Sequence, residues 1–127
     1  MPTPQRPPTP DHRAALGSFG EQIAVRALTD AGLQVLDRNW RCRDGELDIV
    51  ARDGDALVFC EVKTRRGTGF GQPAEAVTAA KRHRLRLLAR AWLQAHDHHA
   101  PDLRFDVVGV HVPSSGPARV THLRNAF

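Results

Sequence analysis

The residues of this chain best suited to chemistry are acids and an amine set inside apolar strands. Glu46 and Asp48 lie within Gly45-Glu46-Leu47-Asp48-Ile49-Val50, and Glu61-Val62-Lys63 begins thirteen residues after Asp48. Side chains alternate faces along a strand, so Glu46 projects with Asp48, and Glu61 with Lys63. Between the two segments stands Asp53-Gly54-Asp55, a hairpin signal that folds the second strand back beside the first. This brings Asp48 within reach of Glu61. Two carboxylates about 4 Å apart repel by about 4 kcal/mol at an effective dielectric of about 20. A divalent cation converts that repulsion into a binding site.

Each of these residues also has a plainer reading. Asp48 and Lys63 can pair across solvent-facing strands for at most about 1 kcal/mol. The strands are very apolar for a surface hairpin, however, and charges embedded in such strands pair or coordinate. Glu46 reads more readily as the charged flank of a turn that keeps an edge from pairing than as a ligand. Glu21 is balanced between two roles. Ser18-x-x-Glu21 matches a capping box, in which Glu21 bonds back to the Ser18 backbone. Alternatively, the first helix aims Glu21 at the sheet, where it joins Asp48 and Glu61.

The elements that must position these groups follow from local pattern. Met1 to Arg13 is rich in proline with little to bury and reads as a disordered tail, leaving residues 14–127 as one domain. Helical spacing of Phe19, Ile23, Ala24, Ala27, Leu28 and Ala31 predicts a helix from Ser18 to Ala31, stopped by Gly32. Strands are expected at Leu33 to Arg43, Glu46 to Arg52 and Ala56 to Thr64, joined by short turns into an antiparallel meander. A mobile basic loop from Arg65 to Gln72 leads to a second helix that starts at Pro73 or Thr78 and runs to Ala95. Strands at Leu103 to Val112 and Ala118 to Leu123 complete the order α-β-β-β-α-β-β. A long helix between the third and fourth strands makes those two strands a parallel pair, so the expected fold class is α/β, a mixed central sheet flanked by helices.

Composition narrows the setting. Eighteen basic against fourteen acidic residues give a formal charge of +4, and a basic domain favours polyanionic partners. No apolar run reaches membrane-spanning length and no signal-peptide core is present, so no membrane partner is expected. Cys42 and Cys60 show neither metal-ligand spacing nor a secreted framework, which points to reduced thiols and a cytoplasmic setting. Cys60 sits on the strand face of Val58 and Val62 as a packed core thiol.

Arginine supplies sixteen of the basic residues, and the only lysines are Lys63 and Lys81. Lys81, Arg82, Arg84, Arg86 and Arg90 crowd the front of the second helix, where the positive end of the helix dipole makes a compensating anion favourable. Arg86 and Arg90 lie opposite the stripe of Leu85, Leu88, Ala89 and Trp92 and fit a solvated face. Lys81 lies in line with that stripe, nearest the glycine-rich loop, and is the stronger phosphate contact; Arg65, Arg66, Arg82 and Arg84 are further nucleic-acid-binding candidates. Trp92 belongs to the core, whereas Trp40 is open to stacking or packing. His96-Asp97-His98-His99 fits a solvated helix end better than a zinc site.

Taken together, Gly20-Glu21…Ala24, Arg38-Asn39-x-Arg41, Gly45-Glu46-Leu47-Asp48-Ile49-Val50-Ala51, Val58-x-x-Glu61-Val62-Lys63-Thr64-Arg65, Gly71 and Ala76-Val77…Lys81 resemble the YraN-like bacterial family. That family is similar to archaeal Holliday-junction resolvases within the PD-(D/E)xK nuclease superfamily. The resemblance spans Gly17 to Phe127; Leu47, Ile49 and Cys60 depart from common family choices without touching the proposed chemistry. It implies a restriction-endonuclease-like fold and a Mg²⁺-dependent nuclease acting on DNA, branched DNA included, with Mn²⁺ as a substitute ion. Asp48 and Glu61 would then hold the metal with the Val62 carbonyl, Lys63 would stand beside the attacking water, and Glu21 would help position the metal or its water. A resolvase acting on two strands further implies a homodimer. The rival reading is a nucleic-acid-binding protein of the same fold without turnover; a protein-interaction module comes third.

Overall fold

The computed structural model describes residues 12–67, 78–100 and 102–126. Its elements run α1 (His12–Asp30), β1 (Gln34–Cys42), β2 (Gly45–Asp53), β3 (Ala56–Arg66), α2 (Ala79–Ala95), β4 (Asp102–Val112) and β5 (Arg119–Leu123). The five strands form a single sheet in sequence order, β1-β2-β3-β4-β5. The first three strands pair antiparallel, β3 and β4 pair parallel, and β5 returns antiparallel to β4. The expected mixed α/β sheet flanked by helices is therefore what this chain forms.

Alternation along β3 explains the layering. Val58 and Cys60 face one side, packed with Ala24 and Leu28 of α1 and Val108 and Val110 of β4. Leu57 and Phe59 face the other, packed with Leu85, Leu88, Ala89 and Trp92 of α2 and with Phe105. A strand covered on both faces must be apolar at every position, which is why Ala56 to Cys60 reads as an unbroken run. Cys60 is 1% exposed, a core thiol as expected.

Several boundaries differ from the sequence reading. The first helix begins at His12, six residues before Ser18. Ala14, Ala15 and Leu16 are strong helix formers, and Gly17 costs only about 1 kcal/mol against Ala without ending the helix. Ser18 is thus interior to α1, the capping-box role of Glu21 is excluded, and of the expected 1–13 tail only residues 1–11 fall outside the described residues. The far end of α1 is as expected. Gly32 at φ 93° lets its own amide bond Thr29 O and the Leu33 amide bond Leu28 O, closing a Schellman motif. Phe19, expected on the buried stripe, is 48% exposed.

Arg65 and Arg66, assigned above to a mobile loop, belong to β3, because β4 is long enough to pair them with His111 and Val112. The rest of the glycine-rich segment lies outside the described residues, as does Pro73. Thr78 is the N-cap of α2, its hydroxyl accepting from the Lys81 amide at 3.2 Å.

Candidate functional site

The site is created where β2 departs from regular pairing. The register of β2 on β3 runs from Asp53↔Ala56 to Ile49↔Cys60 and stops there, one step before Asp48 would face Glu61. On a flat strand Leu47 and Ile49 would share a face. Here Leu47 packs with the α2 layer and Ile49 with the α1 layer, so the strand turns over at Asp48. Across β1, Arg38 pairs with Ile49 and Trp40 with Leu47. The residue between them, Asn39, has φ 52°, a left-handed conformation that asparagine tolerates better than most side chains. Released from the ladder, Asp48 Oδ2 accepts the backbone N–H of Val62 at 2.9 Å.

Helix α1 supplies the opposite wall. It crosses β3 so closely at Gly20 that a Cβ there would fall 2.7 Å from Thr64 Cγ2. Glu21, the next residue, is held over the strands. A cleft of about 530 Å³ results, lined by Glu21, Asn39, Glu46, Asp48, Val62, Lys63, Thr64 and Arg65 together with Leu16 and Gly17. Glu46, read above as the flank of a turn, instead lines this cleft, and its carboxylate pairs with Arg41 at 3.3 Å. The turnover of β2 at Asp48 is the reason, since it swings the preceding residues toward α1.

Asp48, Lys63, Glu21 and Val62 all line this cleft; Glu61 is not on its wall but adjoins it through Lys63 and through its charge on Asp48. Lys63 Nζ lies 3.3 Å from Glu61 Oε1, with both side chains mostly shielded. Glu21 Oε1 lies 3.6 Å from Arg38 Nε, too far for a hydrogen bond, and that oxygen is buried without a hydrogen-bond partner. Burial raises the Glu21 pKa, against the opposing influence of Arg38 and Asn39. Asp48 is affected most. Burial first, then the charge of Glu61, and less strongly those of Glu21 and Glu46, push its pKa from 3.8 up to about 7, although the Val62 amide pulls the other way.

A divalent cation fits this donor set. Burial and then the neighbouring acids raise the Asp48 pKa to about 7, and one buried Glu21 oxygen has no hydrogen-bond partner. Magnesium takes few protein oxygens and keeps several waters, so a pair of carboxylates and a carbonyl suffices. Among the described residues, no group of three or more His, Cys, Asp or Glu side chains is placed so that it could hold a metal ion.

The basic candidates divide by depth. Arg65 lines the cleft, Arg66 is exposed beyond it, and Arg82 and Arg84 are exposed on the first turns of α2. Lys81 is half-buried and approaches Lys63. The Lys63 amine, with partial burial, holds the Lys81 pKa below the usual lysine range. Arg86 is exposed but lies over the Phe105 ring at 5.6 Å. Trp92 is core, as expected, and its indole N–H donates to Asp37 at 2.9 Å. The expected solvated helix end is only partly so: His96 stacks on Trp92 at 4.2 Å and His98 lies against the same ring, while Asp97 and His99 stay in solvent. Trp40 is half-buried, edge-on to His96.

Sequence reasoning missed Asn39 as a structural agent and did not assign Glu46 to the cleft. The signals available for Asn39 were its residue type, an asparagine inside a strand, and its place in the Arg38-Asn39-x-Arg41 motif. A further polar centre also escaped it. Asp106, fully buried on β4, accepts from Arg104, His122 and the Asn125 amide, while Arg104 also reaches Asp53.

Fold and cleft together define a mixed α/β protein with an acidic, lysine-flanked cleft at a break in its sheet. The chain belongs to UPF0102, described as an uncharacterised protein family, whose pattern matches residues 20–110. It is 58% identical over 113 residues to a UPF0102 protein of Frankia casuarinae, covering 89% of this chain and 96% of that one. A UPF0102 protein of Frankia alni is 60% identical over 113 residues, covering 89% and 94%. One from Rhodococcus opacus is 52% identical over 116 residues, covering 91% and 98%. Among solved structures, Pyrococcus furiosus SfsA in complex with Ca²⁺ aligns over 90% of this chain and 64% of its own length, with 14% identity and a TM-score of 0.35. At that score the likeness carries no argument. No described helix is long and apolar enough to cross a membrane.

Proposed function

We propose that this chain is a metal-dependent nuclease that hydrolyses DNA phosphodiester bonds on a restriction-endonuclease-like core of the PD-(D/E)xK type. The observation that carries this reading is the state of Asp48. Its carboxyl is pressed by burial first and then by Glu61, Glu21 and Glu46 to a pKa of about 7, while Lys63, Arg38 and Arg41 stand beside those three acids and not beside Asp48. Each of the other three acids has a cation beside it, whereas Asp48 has only the Val62 amide, and a buried carboxyl left without a counter-charge is where a hard cation would be taken up.

Asp48 and Glu61, with the Val62 carbonyl, are the residues that would hold Mg²⁺ or Mn²⁺. When bound, such an ion supplies a nucleophilic water at neutral pH and neutralises charge on the phosphoryl group. Lys63 presents its ammonium where charge develops on the phosphoryl oxygens and stabilises it. Glu21, with its unpartnered oxygen, orients water on the far wall. Arg65 at the rim, with Arg66, Arg82 and Arg84 outside, hold the neighbouring backbone phosphates.

A second reading is supported by the Glu61–Lys63 pair at 3.3 Å, which partly neutralises the site from within. It is a nucleic-acid-binding protein of the same fold without turnover. Labelled linear duplex and four-way-junction DNA, incubated with Mg²⁺, distinguish the two. Under the nuclease reading, Asp48→Ala and Lys63→Ala each lower cleavage by about a hundredfold or more. Cleavage untouched by both changes sinks the mechanism; salt-sensitive binding without cleavage supports the second reading.

A further inference from the structure

The chain contains only two lysines, and the fold brings them together. Lys63 lies on the face of β3 that carries Phe59 and Glu61, and Phe59 packs under α2. Lys81 is one turn before Leu85 and two turns before Leu88, both of which are buried on that same layer. It is half-buried, whereas Arg82, His83 and Arg84 beside it are exposed. Lys81 stands on the first turn of α2 and Lys63 near the end of β3, on the sheet face that α2 covers, and the Lys63 amine is near enough to hold the Lys81 pKa below the usual lysine range. Glu61, 3.3 Å from Lys63, offers one negative charge to two ammonium groups. Side by side in a shielded place, such groups are favourable only with a further anion between them. That anion must offer several oxygens at once, because each ammonium carries several donors. It also meets the first turn of α2, whose dipole adds positive potential, and it is flanked by Arg65, Arg82 and Arg84.

We infer that Lys63 and Lys81 form a two-amine clamp that grips one phosphate of a nucleic-acid backbone at the edge of the acidic cleft, Lys81 acting as a positioning residue for the bond to be cut. The clamp rests on the nuclease reading for its purpose, although not for its existence.

The test uses the scarcity of lysine. Reductive ¹³C-methylation of the whole protein labels two lysines and the amino terminus, and Lys81→Met assigns the two lysine signals. A short DNA duplex is titrated in Ca²⁺ in place of Mg²⁺, and steady-state cleavage is measured separately in Mg²⁺. The clamp requires both lysine signals to move together with one binding isotherm. Lys81→Met then weakens DNA binding and raises KM by about tenfold, in line with the loss of a charged hydrogen bond. Lys81→Arg recovers part of the binding and less of kcat. The fold survives the Met variant because the N-cap uses the Lys81 backbone amide, not its side chain. Movement of the Lys63 signal alone, or unchanged binding and KM in Lys81→Met, overturns the clamp while leaving wild-type cleavage intact. If the wild-type protein binds DNA through both lysines and cuts nothing, the clamp stands and the nuclease reading falls.

Discussion

The Asp48 carboxylate accepts the backbone amide of Val62 at 2.9 Å, so a side chain of one strand occupies the place where a backbone carbonyl would continue the ladder. This substitution joins fold to chemistry. It holds the β2–β3 pair together at the point where pairing stops, and it fixes one carboxylate oxygen of Asp48. A hydrogen bond from an amide stabilises the ionised form. Burial and the neighbouring charges outweigh it, and the result is a carboxyl poised between its two states at neutral pH.

Cation affinity should therefore depend on pH with a defined sign. A proton must leave Asp48 before the carboxylate can hold a metal. With its pKa at about 7, Mn²⁺ affinity measured by calorimetry falls by about tenfold for each pH unit below that point and levels off above it. An affinity constant from pH 5.5 to 8.5 would contradict this assignment.

The same shift predicts a stability effect. The folded pKa is raised from 3.8 to about 7, so the contribution of Asp48 is fully present below pH 3.8, drains as pH rises, and is lost above about 7. Asp48→Asn removes the dependence. Chemical denaturation of metal-free protein should show the variant more stable than wild type at pH 8, by an amount that shrinks toward pH 4. Saturating Mg²⁺ at pH 8 stabilises wild type but not the variant.

Glu21 is tied to the site through charge. Replacing it by glutamine removes one of the negative charges that raise Asp48 while keeping its shape. The pH midpoint of Mn²⁺ binding then moves downward by a fraction of a unit. If the midpoint stays in place, Glu21 is not electrostatically coupled to Asp48.

Gly20 is held to glycine by Thr64. In an open helix Gly→Ala stabilises by about 1 kcal/mol, but here the added Cβ would lie 2.7 Å from Thr64 Cγ2, and overpacking costs about 1–3 kcal/mol. Overpacking wins. Gly20→Ala should destabilise in urea denaturation, and adding Thr64→Ala should recover most of the loss. Independent, additive effects of the two substitutions would refute the contact.

Asp106 tests the second polar centre. Burial acts to raise its pKa, yet hydrogen bonds from Arg104, the Asn125 amide and His122 hold it below 3.8. A depressed carboxylate contributes stability above its unfolded pKa and loses it as pH falls through the folded one. Asp106→Asn leaves Arg104 with Asp53 as its remaining carboxylate partner and should cost about 2 kcal/mol at pH 7 through the lost charged hydrogen bonds. The gap to wild type narrows toward pH 3.

Much of this protein was legible from local pattern, because strands, hairpin turns and helix stops depend on neighbours a few residues apart. The apolar run of β3, the Asp53–Asp55 turn, the Gly32 stop and the Thr78 cap are all of this kind. The same dependence on local pattern left Glu21 divided between a cap and a place at the sheet. Ser18-x-x-Glu21 has the form of a cap, and only the continuation of α1 back to His12 shows that it does not act as one.

What tertiary structure alone decided lies where distant segments meet. The break opposite Asn39, the seat of Gly20 against Thr64 and the placing of Lys81 on the sheet face of Lys63 span separations that no periodicity encodes. Residue order determined which groups this chain could offer to chemistry and roughly on which elements they ride. Their protonation and mutual reach come from burial and from the summed field of neighbours, which exist only once the sheet has closed between its two helices.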